Sequence, residues 1–435
     1  MVRFVWSLVL VVTATLALNR VSWAQVTLRT ASVMVPQSSV EHPADIGVRF
    51  HTNTMLKAVY GLPEQGAMNN LTAGTPPFPG FVYETPGSLG CVYRLVSTIV
   101  PGCNPNTVTE GPTGGSGLIA IVDAFDDPNA MSDLNAFSSQ FGLPLVTLNT
   151  FEVVYAAGTQ PAQDPTGGWE GEESLDIELA HAMAPSANLV LVESATNSNH
   201  DLLRAVTTAS SLVAAAGGGE VLMDWGGSEN PGEIWHDWRF TTPGVVYISS
   251  SGDSPGTQYP SVSPYVVAVG GSTIRRDSSG NLIGQRVWHD TGGGPSLYEP
   301  RPAYQDTVAS HFPPALRGER GTPDLSFDGN PNTGAWVYDS IPMSEFPKGG
   351  VSGSNWYVFG GTSLSAAAMV GVINVAGHFS KSSARELARI YNNGTLAVDY
   401  RAIVSGTCGP DGSFPATPGW DYCTGVGTPK GYGGK

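Results

Sequence analysis

The sequence has few charged residues, and basic residues are scarcer than acidic ones. Charged side chains make up 13% of its 435 residues, about half the usual share. Its 21 Lys and Arg residues against 37 Asp and Glu residues give a formal net charge of −16. This balance argues against the basic surface that nucleic-acid binding requires, so we expect no nucleic-acid partner. The hydrophobic share of 41% is enough for a sizeable core.

Long apolar runs are also missing, except at the N-terminus. Arg3 precedes an apolar run at residues 4–18, and Ser22 and Ala24 then place small residues at positions −3 and −1 of a cleavage site. This order is typical of a secretory signal peptide over residues 1–24. The alternative is a membrane anchor, but no run reaches the roughly 18 apolar residues that a span needs. We therefore expect a secreted, extracellular protein with no membrane partner.

The sequence contains only four cysteines, in two pairs that are close along the chain. Cys91 lies near Cys103, and Cys408 lies near Cys423. Four cysteines allow three pairings, of which these two local disulfides need the least chain reach. Disulfides agree with an exported protein.

Two parts of the chain differ in pattern. Residues 25–112 are irregular and rich in proline and glycine, which predicts a short propeptide or N-terminal extension. In the predicted domain at residues 113–435, apolar runs and helical patterns alternate, and Asp127 is a predicted N-cap. This alternation predicts a parallel sheet with helices on both faces and a site at the carboxyl ends of its strands. The predicted strands are 118–122, 189–192, 221–223, 245–248 and 265–269, and the predicted helices are 128–140 and 202–216.

The first candidate for chemistry is Ser363. Gly360 and Gly361 allow a tight turn, after which Thr362 and Ser363 open a predicted helix. A serine at a helix N-terminus lies beside unpaired backbone N–H groups that can stabilise an oxyanion. The alternative is an ordinary N-cap serine.

A serine nucleophile needs a base, and no histidine of this sequence lies in a His-Gly-Thr setting. Glu172 and Asp176 are spaced i, i+4 in a predicted helix at residues 171–182, so their carboxyl groups share one face. Two adjacent carboxyl groups can share a proton, which raises one pKa. Glu173 and Glu178 lie off that face and are expected to be solvated. The alternative is an acidic surface helix.

The third candidate is Asp253, in the turn that follows the predicted strand at 245–248. Gly252 beside it permits close approach of another group. A carboxylic acid that stays protonated can donate a hydrogen bond to a developing oxyanion. The alternative is an Asp-containing turn without a function.

In combination these segments resemble the sedolisins, the serine-carboxyl peptidases. The resemblance covers roughly residues 113–430 and implies a subtilisin-like α/β fold, a three-layer sandwich around a mostly parallel sheet of about seven strands. It implies that Ser363 is the nucleophile, Glu172 the general base, Asp176 its support and Asp253 the oxyanion acid. It also implies a monomeric endopeptidase that acts on proteins or peptides in acid. The matching segments, in order, are residues 171–178, 251–254, 263–273, 323–326, 360–365 and 418–429.

Near the catalytic residues, the sequence departs from the family pattern at three positions. Ala367 stands where the family usually has proline, Asp224 stands where a small hydroxyl is expected in a substrate-binding strand, and Pro255 replaces a common glycine. The family's prodomain is also usually longer than residues 25–112, so the route of maturation stays open. Asp224 and Ala367 leave open an impaired homologue that binds peptides. The other alternative is a secreted scaffold without activity, in which the three motifs are only turns and caps.

The resemblance also implies a calcium site near the C-terminus. The matching ligands are Ile403, Thr417, Gly419 and Asp421, but Ala402 replaces the usual aspartate. Calcium prefers six to eight oxygens and gains affinity from ligand charge. We therefore expect calcium to be weakly held or absent.

Overall fold

The computed structural model describes residues 32–59, 72–377, 380–392 and 396–435. The predicted signal peptide at residues 1–24 lies outside the described residues. Within the described ranges, no helix has both the length and the apolar character needed to cross a membrane.

The helices and strands follow one another along the described chain as follows. The helices are α1 (Pro86–Val92), α2 (Ala130–Phe141), α3 (Gly168–Met183), α4 (Asn199–Ala215), α5 (Thr362–Val375), α6 (Ser383–Asn392) and α7 (Leu396–Asp399). The strands are β1 (Val33–Met34), β2 (His51–Thr52), β3 (Met55–Lys57), β4 (Leu118–Ala124), β5 (Phe151–Tyr155), β6 (Asn188–Ser194), β7 (Gly219–Met223), β8 (Trp225–Ser228), β9 (Val245–Ser250), β10 (Gln258–Tyr259), β11 (Val267–Arg276), β12 (Leu282–Val287), β13 (Gly294–Pro300), β14 (Glu319–Thr322), β15 (Leu325–Asp328), β16 (Ala335–Tyr338), β17 (Trp356–Gly360), β18 (Tyr400–Arg401), β19 (Thr407–Cys408), β20 (Phe414–Pro415) and β21 (Thr428–Pro429).

The largest sheet is mostly parallel. Its strand order is β12-β11-β9-β7-β4-β6-β5, and β15 also pairs with β11. Only the β11–β12 pairing is antiparallel, which leaves seven parallel strands in the described sheet. The predicted α/β class and the mostly parallel sheet are confirmed.

Side chains of β4 alternate between two layers of helices. Ile119 and Ile121 belong to the apolar cluster that includes residues of α2, α3 and α5. Ala120 and Val122 point to the other face, into the cluster that includes residues of α4. A parallel sheet covered on both faces explains why its strands read as continuous apolar runs. The predicted three-layer sandwich is confirmed.

The predicted N-terminal extension contributes strands to the same fold. Strand β3 pairs with β17, directly before the turn that leads to α5. Strand β2 pairs with β8, which follows the sheet strand β7. Whether residues 25–112 are removed as a propeptide stays a prediction.

Two local details concern predictions from the sequence. The structure joins Cys91 to Cys103 and Cys408 to Cys423, the two local pairs. The prediction of Asp127 as the N-cap of α2 is wrong, because α2 begins at Ala130 and its N-cap is Asn129. Asp127 Oδ1 instead accepts the N–H of Asn129 at 2.8 Å, in the turn before the helix.

Candidate active site

Ser363 lies in the first turn of α5, at the edge of the parallel sheet. The N-cap of α5 is Gly361, with φ of 102°, and a glycine has no side chain to cap the helix end. Ser363 is fully buried, and its hydroxyl donates to the backbone oxygen of Asp224 at 3.3 Å. Its side chain therefore does not act as an N-cap.

Glu172 and Asp176 lie on α3, which packs closely against α5. Both carboxyl groups are fully buried. Glu172 accepts a hydrogen bond from the Thr54 hydroxyl, and the nearby Ser363 hydroxyl acts to lower its pKa. The structure thus brings the predicted nucleophile and the predicted base close together.

Two further carboxyl groups, those of Asp123 and Asp224, face this pair. Asp123 lies near the carboxyl end of β4, and Asp224 lies between β7 and β8. Asp224 Oδ1 accepts the N–H of Ser250 at 3.1 Å. Among the described residues no amide, hydroxyl or cationic group donates to either Asp176 oxygen, and its carboxyl is in hydrogen-bonding contact with that of Asp224. We call Asp123, Glu172, Asp176 and Asp224 the carboxyl cluster.

Burial is the main influence on the acidity of this cluster. It raises the pKa of Glu172 well above its usual range, and the charges of Asp224 and Asp123 raise it further. Burial and the same two charges act likewise on the pKa of Asp176. Burial raises the pKa of Asp123 to about 8. Neighbouring carboxyl groups in a buried site cannot all ionise, so the cluster shares protons.

Asp253 lies on the other side of Ser363, in the turn after β9. Its Oδ1 accepts two hydrogen bonds from Thr362, from the backbone N–H at 2.6 Å and from the hydroxyl at 2.9 Å. Its Oδ2 has no partner among the described residues. Burial raises the pKa of Asp253 to about 8, although the hydrogen bonds from Thr362 act in the opposite direction. Asp253 is therefore protonated in acid and able to donate.

The expectation that Glu173 and Glu178 are solvated is wrong, because both side chains are fully buried. Helix α3 contacts α2 and β16 as well as α5 and the sheet, so no face of it is exposed to water. Glu178 Oε2 accepts the N–H of Tyr338 at 2.9 Å. An acidic sequence pattern that is typical of a surface helix therefore does not distinguish such a helix from this buried one.

The predicted calcium ligands form a loop that is satisfied by its own hydrogen bonds. The Asp421 carboxylate accepts the backbone N–H groups of Thr417, Cys423 and Thr424 at 2.9–3.1 Å and the Thr424 hydroxyl at 3.2 Å. Ala402 adds no carboxylate, and no group of three His, Cys, Asp or Glu side chains in the described chain could hold a metal ion. Ile403 and Gly419 can add only uncharged backbone oxygens, so this donor set has a single carboxylate, already hydrogen-bonded, and carries too little charge to bind calcium tightly. Weak or absent calcium binding stays a prediction.

The sequence analysis missed three residues that line the site. Asn53 and Thr54 contact Ser363 and Glu172 although they lie about 120 to 310 residues away along the chain. No sequence signal marks them. Asp123 had a signal, because it is an acidic residue within a buried parallel strand whose carboxyl end faces the site.

Comparison with known proteins finds curated relatives that match most of the chain. It is 31% identical to kumamolisin from Bacillus sp. (strain MN-32) over 74% of this chain and 60% of that protein. It is 26% identical to sedolisin from Pseudomonas sp. (strain 101) over 79% of this chain and 62% of that protein. The chain thus spans about three fifths of the length of these curated relatives. No family model matches it.

Comparison of structures agrees on the fold. The structure of Pseudomonas sedolisin, a serine-carboxyl proteinase complexed with two molecules of pseudo-iodotyrostatin, superposes with a TM-score of 0.62 and 23% identity. The match covers 80% of this chain and 95% of that one. This match shows a subtilisin-like fold. The ordered motifs and the identity to kumamolisin and sedolisin show that the chain belongs to the sedolisin family.

Proposed function

We propose that this protein is a secreted serine-carboxyl endopeptidase that cleaves proteins or peptides in acid. The observation that carries the proposal is the convergence of Ser363, Glu172, Asp176 and Asp253 on one site from three separate segments of the chain. A scaffold without activity offers no reason for this convergence. The family relationship supports the reaction class.

Catalysis begins with attack of the Ser363 hydroxyl on the scissile carbonyl. Glu172 lies near that hydroxyl and takes its proton as general base. Asp176 supports Glu172 from the same face of α3 and stabilises the charge that moves through the cluster. The product of this step is a tetrahedral oxyanion on Ser363.

The oxyanion is stabilised by two donors, the backbone N–H of Ser363 and the protonated carboxyl of Asp253. Hydrogen bonds directed at developing charge favour the transition state over the bound substrate. Glu172 then protonates the leaving amine, which gives an acyl-enzyme ester. Water hydrolyses the ester in the same way and restores the Ser363 hydroxyl.

The working pH range follows from the protonation states that catalysis requires of two carboxyl groups. Glu172 must be ionised to act as a base, whereas Asp253 must be protonated to act as a donor. Water that enters an open cleft reduces the desolvation of Glu172 and lowers its pKa towards the ordinary range of a glutamate. Asp253, with a pKa of about 8, stays protonated up to that pH. Activity in acid and loss of activity above about pH 8 are expected.

The proposed setting is extracellular. Residues 1–24 have the order of a signal peptide, and both disulfides suit an oxidising compartment. We propose a monomer that acts on protein substrates, uses no nucleic acid or membrane and holds calcium weakly or not at all.

A protein-digestion assay between pH 3 and pH 7 tests the proposal, with Ser363→Ala as the matched variant. Wild type should digest a denatured protein substrate in acid, and Ser363→Ala should lose several orders of magnitude in rate while keeping its circular dichroism spectrum. Retention of more than about a tenth of the activity by Ser363→Ala would remove Ser363 from the mechanism. No digestion by wild type at any pH would favour the impaired, peptide-binding homologue.

A further inference from the structure

A second set of buried acidic side chains lies next to β8, outside the site described above. Strand β8 belongs to the segment that the sequence analysis assigned to substrate binding. One side of β8 pairs antiparallel with the short extended strand β2, and the other side pairs with β10. Strand pairing is also how an extended peptide binds to a sheet edge. The groups that hold β8 in place therefore also hold a peptide that is bound to it.

Glu229 follows β8 directly and connects its end to two other strands. Its Oε1 accepts the hydroxyl of Thr257, the residue before β10. Its Oε2 accepts the Ser296 hydroxyl at 2.5 Å and the Leu297 N–H at 3.0 Å, both in β13. A single carboxyl group, only 7% exposed, thus links the end of β8 to β10 and β13.

Three more buried acids lie near Glu229. Glu233 and Asp237 begin two successive short 3-10 helices, and Glu299 lies on β13. All three side chains are buried. One oxygen of each, Glu233 Oε1, Asp237 Oδ1 and Glu299 Oε1, has no hydrogen-bond partner among the described residues. We call Glu229, Glu233, Asp237 and Glu299 the β8 acids.

Two arginines near the β8 acids are engaged elsewhere. Arg320 is fully buried and bonds to both oxygens of Asp324 at 2.8 Å, and Arg239 donates to two groups on α4. No ion pair of the described chain includes a β8 acid. Other titratable side chains around β8 and these acids are Glu41, Tyr259 and Tyr304. The charge of each β8 acid therefore acts mainly on the other three.

These surroundings keep part of the set protonated in acid. Burial and the charges of neighbouring β8 acids raise the pKa of Glu233 to about 9 and that of Glu299 to about 8. Burial raises the pKa of Asp237 to about 6. Protonated members of the set carry no charge and can donate to ionised ones, whereas four buried like charges repel one another. Their contribution to the stability of this region is therefore present in acid and lost as the pH rises through 8 to 9.

We propose that the β8 acids position β8 for substrate, and that ionisation of Glu233 and Glu299 weakens substrate binding as the pH rises. This inference rests on the proposed function. It separates two effects of pH, because Asp253 acts on turnover whereas the β8 acids act on affinity. Glu229 is a positioning residue, since it acts through β8 and does not touch the reacting atoms.

Steady-state kinetics of Glu229→Ala and Glu229→Gln at pH 5 test the positioning role. The substrate is an internally quenched peptide copied from a bond that the enzyme cuts in a denatured protein. Glu229→Ala should raise KM at least about tenfold, as expected for loss of a hydrogen bond to a charged group, while kcat changes less than about twofold. Glu229→Gln retains an acceptor and should recover most of the affinity.

Glu220→Ala is the matched control for this measurement. Glu220 is 1% exposed on β7, but it accepts from Asn374 at 2.8 Å instead of from residues around β8. Its replacement also removes a buried, hydrogen-bonded carboxyl group from the fold. We expect the KM of Glu220→Ala to stay within about twofold of wild type, because no substrate-binding strand depends on this group.

The effect of pH is tested by the double variant Glu233→Gln/Glu299→Gln, which keeps hydrogen-bonding groups at both positions but cannot ionise there. The KM of wild type should rise at least about tenfold between pH 6 and pH 9, and that of the double variant less than about twofold. Asp253→Asn should show the same rise in KM as wild type, although its kcat extends to higher pH.

The outcomes separate this inference from the proposed function. Equal KM values for Glu229→Ala and Glu220→Ala, or a wild-type KM that is constant between pH 6 and pH 9, overturn the inference alone. A KM that rises equally in wild type and the double variant also overturns it, and this comparison decides if Glu229→Ala does not fold. No turnover by wild type at any pH overturns the proposed function and this inference together.

Discussion

Buried carboxyl groups in two regions of this molecule, the carboxyl cluster and the C-terminal loop, differ in what surrounds them. In the carboxyl cluster, the oxygens of Asp123 and Asp176 receive no hydrogen bond from an amide, hydroxyl or cation of the described residues. In the C-terminal loop, both oxygens of Asp421 receive hydrogen bonds from backbone N–H groups or a threonine hydroxyl. Burial opposes ionisation in both places, but both oxygens of Asp421 have donors that favour the charged form, whereas in the cluster such donors reach only Glu172 and Asp224.

This difference separates a reactive site from a structural one. A carboxylate surrounded by fixed donors organises its loop and has little reason to exchange a proton. Carboxyl groups that face one another exchange protons readily, because the protonation state of one group changes the pKa of its neighbour. The following predictions, in order of expected effect, test whether the two groups differ in this way.

The largest effect is expected at Glu172 and Asp176. Glu172→Gln and Asp176→Asn should each lower kcat on the order of 10³-fold or more, because either change disrupts one proton-transfer unit. The double variant should be little slower than the slower single variant, since residues that share one role are not additive. Steady-state rates of the three variants provide the test. Losses that multiply would indicate two independent acids.

A smaller loss is expected at Asp253. Asp253→Ala should lower kcat by about 10² to 10³, the usual cost of one oxyanion donor. Asp253→Asn retains a donor that does not titrate, so it should lose less and should keep its activity above pH 8. Rate profiles between pH 3 and pH 9 measure both effects. Wild-type activity in Asp253→Ala would exclude Asp253 from catalysis.

The next change affects pH dependence more than rate. The negative charge of Asp224 raises the pKa of Glu172, so Asp224→Asn should lower that pKa and move the acidic limb of kcat/KM to lower pH. Glu178→Gln is the matched control, since Glu178 is buried on the same helix but bonds to Tyr338 instead of the cluster. A limb that stays in place in Asp224→Asn, or moves equally in the control, would show that the cluster does not share protons.

The smallest effect is expected at the C-terminal loop. Because the donors of this loop already satisfy Asp421, excess chelator should lower the Tm of the oxidised protein by no more than about 2–4 °C, the shift that follows from a loss of about 1 kcal/mol. Thermal unfolding with and without chelator measures this shift. A drop of more than about 10 °C would reveal a tight calcium site. The Asp421 carboxyl would then not be satisfied by its own loop, as the comparison with the carboxyl cluster assumes.

The sequence was informative where a local motif carries the chemistry. The turn before Ser363, the i, i+4 spacing of Glu172 and Asp176 and the turn at Asp253 each depend on a few neighbouring residues. Their meeting in space follows from the parallel sheet, whose strands end at one edge. The alternation of apolar runs and helices was sufficient to predict that sheet.

Long-range contacts could not be predicted from the sequence. Asn53 and Thr54 reach the site through strand pairing with β8 and β17, which no local pattern encodes. The burial of Glu173 depends on the helices and strands packed around α3. The sequence analysis expected the charge of Asp224 in a substrate-binding strand. In the structure its side chain lies towards Asp176 and Ser250.

Buried acidic side chains outside the site make the stability of the folded protein depend on pH. Burial raises the pKa of Glu170 to about 8, that of Glu193 to about 9 and that of Glu220 to about 8, from 4.5. Folding therefore takes up protons in mild acid, and the stability gained from these groups is complete below about pH 4.5 and is lost as the pH rises through 8 to 9. A rise in the pH of its surroundings would therefore shorten the lifetime of the folded protein.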